Sequence, residues 1–93
     1  MDISKSDIIV SLAGRDKGKY FFVLNVDGGY ALLADGKTRR LENPKRKKLK
    51  HLRLAARMDS MVANKILAGD VVLNSELRRD LAIFGQQCQN QGG

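Results

Sequence analysis

Tryptophan is missing from this chain, and phenylalanine and tyrosine together supply only 5% of its 93 residues. Any core must therefore be built mainly from Val, Leu, Ile and Ala, and it will be thin. A single cysteine, Cys88, excludes an internal disulfide, and the N-terminus lacks the charged, apolar and small-residue order of a secretion signal. A reducing, cytoplasmic setting is expected. No apolar run approaches the roughly twenty residues that cross a bilayer, so the protein is read as soluble, with no membrane partner. The lone histidine, the lone cysteine and scattered carboxylates assemble neither a metal-ligand set nor a nucleophile, base and oxyanion donor. No enzyme, metal site or cofactor is expected. Cys88 reads as a buried hydrophobe instead.

What the sequence does contain is positive charge in one place. Residues 1–36 carry four Lys or Arg against five Asp, residues 37–57 carry ten against one Glu, and residues 58–93 carry three against four acids. The central block alone thus holds +9 of a chain whose net charge is +7. A localised block of this kind is the electrostatic footprint of a polyanionic partner. Without an amphipathic apolar wedge or an acylation signal beside the cations, a membrane surface fits poorly.

Hydrophobic patterning predicts short strands and then helices. Ile8, Val10 and Leu12 alternate with Ile9, Ser11 and Ala13 before Gly14, as in a strand. Lys19–Val26 reads as a second strand, with Tyr20, Phe22, Leu24 and Val26 on one face and Phe21 and Val23 on the other. Asp27-Gly28-Gly29 signals a hairpin before a third strand at Tyr30–Ala34. A fourth strand is expected near Thr38–Leu41, with Pro44 at an edge or turn, and a fifth within Leu49–Leu54. Asp59 is expected to cap a first helix ended by Gly69, and Asn74 or Ser75 a second with a Leu77, Leu81, Phe84, Cys88 stripe. The expectation is a mainly β (α+β) protein of one domain. Residues 1–57 would form a small β-barrel, residues 58–88 a two-helix segment packed on it, and residues 89–93 a disordered tail.

The segment "GRDKGK" (residues 14–19), set between two strands with Gly18 at its key position, resembles the KOW motif of ribosomal proteins and transcription elongation factors. Over residues 6–54, the strand, hairpin and basic return segment are similar to those of archaeal and eukaryotic large-subunit ribosomal KOW proteins. Phe21 and Phe22, where many KOW sequences place a small residue, lie closer to the ribosomal subgroup. The resemblance implies an SH3-like barrel of KOW type, ribosome association and RNA, in particular ribosomal RNA, as partner, with ribosomal proteins as further neighbours.

Physical chemistry gives the motif a role of its own. A glycine at 18 permits backbone angles closed to other residues and places no side chain between its peptide group and a phosphate or ribose. Arg15, Lys17 and Lys19 would flank that approach. Lys37, Arg39, Arg40, Lys45, Arg46, Lys47, Lys48, Lys50, His51 and Arg53 would extend it into one continuous basic surface on a monomer. Tyr20 and Tyr30 carry rings able to stack on unpaired bases, although in a chain so poor in aromatics they read first as core-edge residues. The alternative is a protein-interaction module that docks an acidic surface of a transcription or translation complex through strand two or the helices.

Overall fold

Both faces of the second strand demand cover, and the chain supplies it from two directions. A computed structural model describes residues 3–91. Strands β1 (Ile8–Ser11), β2 (Tyr20–Asp27), β3 (Tyr30–Ala34), β4 (Lys45–Lys48) and β5 (Leu52–Ala56) form one antiparallel sheet in the order β4-β3-β2-β1-β5. Helices α1 (Met61–Ala68) and α2 (Asn74–Gln91) follow, making an α+β protein.

The ladder does not close, since β4 and β5 are its two edges. Yet one 3-10 turn of three residues, Leu49–His51, carries the chain from one edge to the other. Five flat strands would hold their edges about 19 Å apart at about 4.8 Å per step. Three 3-10 residues advance only about 6 Å. The sheet is therefore curled, and its edges converge at this end.

Curling creates a concave face filled by Ile9, Phe21, Val23, Ala31, Leu33 and Leu52. On the other face Ile8, Phe22 and Ala34 pack against Val62 and Ile66 of α1 and Leu77 and Phe84 of α2. Adjacent phenylalanines thus anchor opposite sides of one strand. The pairing of β2 with β3 shifts between Val23 and Asn25, a bulge that moves Val26 onto the concave face with Phe21 and Val23. Strict alternation had placed it with Phe22.

Residues 38–41 are not a strand, because the Asp35 carboxylate has captured the backbone there. It accepts from Lys37 N at 2.9 Å, Arg39 N at 2.8 Å and the Thr38 hydroxyl at 2.8 Å. Within residues 38–41 the Arg39 N–H is thereby occupied, and that of Leu41 goes to the Asn74 side chain, so neither is free for a ladder. The fourth strand forms instead at Lys45–Lys48, after Pro44, and its lysines suit an exposed edge. The fifth begins at Leu52, behind the 3-10 turn that occupies the first part of the segment expected for it.

Helix α1 is capped one residue later than Asp59: Ser60 has extended backbone angles, and its hydroxyl accepts from Ala63 N at 3.1 Å. Gly69, at φ 76°, ends it as expected. At the start of α2 neither Asn74 nor Ser75 caps. Glu76 reaches back to Leu73 N at 3.0 Å, half of a capping box, while the Asn74 side chain accepts from Leu41 N at 2.9 Å. Leu77 and Phe84 are buried and Leu81 half-buried, whereas Cys88 lies outside the residues whose side chains are described. The helix continues to Gln91, into the 89–93 segment expected as a tail, through glutamines that favour helix; residues 92 and 93 lie outside the described residues.

Gly36 decides how closely α2 approaches the sheet. It sits at φ 78°, and a Cβ there would meet the Asn74 carbonyl oxygen at 2.2 Å. Gly28, in the β2–β3 hairpin at φ 57°, has open space at the same position. Gly36→Ala should cost about 3 kcal/mol or more in urea unfolding, combining left-handed strain with overpacking, and Gly28→Ala about 1–2 kcal/mol from strain alone. Equal losses would show that the helix does not depend on this approach.

Candidate nucleic-acid interface

Strands β1 and β2 are joined by a corner that the backbone fixes at its base. Gly18 N donates to Ser11 O at 2.8 Å, and Ser11 N donates to Lys19 O at 3.0 Å. Within it Lys17 N reaches Gly14 O at 3.2 Å and Lys19 N reaches Asp16 O at 2.9 Å. Gly14 and Gly18 both adopt left-handed angles, φ 80° and 84°. A Cβ at Gly18 would meet nothing within 4 Å, so the space beside its Cα is open, while its own N–H and that of Lys19 are held inside the corner.

The one acid of this corner points inward. Asp16 is 5% exposed and pairs with Arg39 Nη2 at 3.0 Å, pinning the corner to the β3–β4 loop. Arg15, Lys17 and Lys19 remain exposed around Gly18. Three cations therefore face solvent while their neighbouring carboxylate is neutralised internally.

The central block is not one continuous surface, because strand alternation divides it. Lys45 and Lys47 lie opposite Leu33 and Ala31 and share the concave face. Arg46 and Lys48 lie opposite Leu32 and Tyr30 on the outer face, with the Arg46 guanidinium 3.7 Å over the Tyr30 ring. Lys47 is a strut: its Nζ donates to Ser11 Oγ at 2.6 Å and to the Ala13 carbonyl across the curl. Its ammonium also lies 3.5 Å from where a Gly14 Cβ would sit. Arg39 and Lys47 thus hold the corner in shape, which is a different role from the phosphate contact expected of them. Arg40, Lys50 and Arg53 are exposed on the β3–β4 loop, the 3-10 turn and β5, and His51 is half-buried, its carbonyl accepting from Leu12 N at 2.9 Å.

Beside the corner lies a groove of about 430 Å³ that the sequence did not disclose. Lys19 and Lys37 line it together with Arg78 of α2, and Tyr20, Leu81 and Ala82 give it an apolar floor. Arg78 Nη1 donates to Gly36 O at 2.6 Å, which fixes the guanidinium at the rim. No periodicity links position 78 to positions 19 and 37. The only hint was Arg78-Arg79 as an isolated basic pair in the acid-leaning C-terminal third.

Burial raises the pKa of Asp35, but the N–H groups of Arg39 and Lys37 and the Thr38 hydroxyl outweigh this and hold it below the ordinary carboxylate value. Glu76 is held low chiefly by the Lys65 ammonium at 2.8 Å, an ion pair that ties α1 to α2. Among the described residues, no group of three or more His, Cys, Asp or Glu side chains could hold a metal ion. No helix is long and apolar enough to cross a membrane among the described residues. No protein-family model matches this chain, and no curated protein matches it.

Lys47→Met should lower stability by about 1.5–3 kcal/mol through loss of charge-assisted hydrogen bonds, whereas Lys48→Glu should stay within about 0.5 kcal/mol of the parent. Urea unfolding reads both, and a neutral Lys47→Met would remove the strut. The depressed pKa of Asp35 means that its stabilisation is present above the unfolded value of 3.8 and is lost as pH falls from there through the folded value. Asp35→Asn should reduce stability at pH 7 and flatten the acid limb of the stability profile; an unchanged acid limb would contradict this.

Proposed function

We propose that this protein is an RNA-binding module of the KOW class that works on structured RNA in the cytoplasm, in association with the ribosome and as a monomer. The observation that carries the reading is the corner: a left-handed Gly18 with open space where a Cβ would be, ringed by exposed Arg15, Lys17 and Lys19. Glycine takes these backbone angles without strain and places no side chain in the open space among the three cations, so a phosphate or ribose can approach them closely. Curling of the five strands, with the edges linked by one 3-10 turn, supports reading the sheet as an SH3-like barrel of the type the sequence resembles. The module binds and does not catalyse. Cations outnumber groups suited to reading base edges, so recognition rests on backbone shape and charge.

The rival role, docking on a protein surface, is favoured by a separate observation. Met61, Leu67, Val71 and Leu73 are exposed on α1 and the link to α2, with Val71 82% exposed. Material that co-purifies distinguishes the two: nucleic acid absorbing more at 260 than at 280 nm and destroyed by ribonuclease supports RNA binding, and ribonuclease-resistant protein supports docking.

With about five phosphates engaged, the logarithm of RNA affinity should fall against the logarithm of salt concentration with a slope of roughly −3.5 to −4.5. A flat response would remove the mechanism. Gly18→Leu should weaken binding at least ten-fold while costing only the strain of a left-handed residue, about 1–2 kcal/mol. If Gly18→Leu binds normally, or merely unfolds the protein, the corner is a turn and nothing more.

A further inference from the structure

We infer that the groove between the corner, the β3–β4 loop and α2 is a seat for a single unpaired nucleotide of the bound RNA. This rests on the RNA-binding reading above and goes further, since it names what enters the protein and where. The groove brings together partners for the two things a nucleotide presents, a flat apolar ring and an anionic phosphate.

The floor is the base side. Tyr20 is 38% exposed, and its ring is held edge-on by Phe84, with centroids 5.1 Å apart and planes at 74°. A ring fixed in this way offers a stacking platform with little entropy left to lose. Leu81 and Ala82 of α2 continue the apolar surface. At about 430 Å³ the groove falls within the range of about 300–1,000 Å³ typical of small-ligand clefts.

The rim is the phosphate side. Lys19, Lys37 and Arg78 place three positive charges there against the single negative charge of Asp35. That carboxylate is turned to its own loop, where both oxygens accept hydrogen bonds from residues 37–39, so it is engaged within the loop and does not pair with a rim cation. Arg78 is oriented by Gly36 O through one Nη and keeps further N–H groups for a ligand. Lys19 belongs to both the corner and the groove, so the two sites adjoin. A paired duplex keeps its bases stacked and offers none to the apolar floor.

Two RNA hairpins with the same stem length and the same compact closing loop test this with the full chain, one with a fully paired stem and one with a single unpaired 2-aminopurine bulged from its stem. The protein should bind the second at least ten-fold more tightly, and the 2-aminopurine fluorescence should be quenched as the base stacks. Tyr20→Phe should keep both the preference and the quenching. Tyr20→Leu, checked by its thermal unfolding curve, should lose both while retaining the affinity for the paired hairpin. Equal affinity for the two hairpins without quenching in the parent protein overturns the nucleotide seat and leaves RNA binding standing. Failure to bind either hairpin overturns both.

Discussion

Strand β2 cannot be satisfied by a single layer. Phe21 and Phe22 are consecutive, project to opposite faces and are both almost wholly buried, so the sheet must be covered twice. A chain of 93 residues without tryptophan has little apolar surface for two separate cores. Curling solves the first, since the concave face is filled by the sheet's own side chains. Helices α1 and α2 solve the second. Truncating either phenylalanine removes a fully buried ring, a change that in protein cores costs about 3–5 kcal/mol.

The corner inherits its shape from this arrangement. Because the sheet is curled, Lys47 on the edge strand β4 reaches Ser11 and Ala13 at the end of β1, three strands away in the sheet order. Because α2 covers the outer face, its first turn presses on Gly36 and fixes the β3–β4 loop, and from that loop Arg39 holds Asp16. Two cations of the basic block are thereby committed to holding the corner, and the carboxylate within it is withdrawn from the surface. The exposed cations around Gly18 are left without competition from the corner's own acid.

Local signals made the fold's elements legible. Asp27-Gly28-Gly29 placed the hairpin, both glycines adopting left-handed angles, and the apolar run at Tyr30–Ala34 placed β3 with the bounds read from sequence. The need for a second layer over β2 was also visible, in the two apolar faces of one strand. Four features were not. A bulge breaks the period of β2 without any glycine or proline to announce it. The Asp35 carboxylate removes residues 38–41 from the sheet by binding their neighbourhood's N–H groups, and an aspartate looks the same in sequence whether or not it does so. The basic block also looked like one surface because composition counts charge without direction, whereas alternation along β4 sends successive cations to opposite faces. Arg78 was out of reach for a different reason: its place beside Lys19 and Lys37 is set by the close approach of Asn74 to Gly36, a contact between segments 38 residues apart.

The central claim is that RNA meets the protein at the Gly18 corner and the groove beside it. Amide chemical-shift mapping during titration with a structured RNA tests this most directly, because it reports every segment at once in the native protein. The account predicts the largest shifts at residues 14–19, at residues 36–39 and near Arg78, with α1 and its link to α2 unmoved. Shifts concentrated at residues 61–73, with the glycine corner silent, would contradict it.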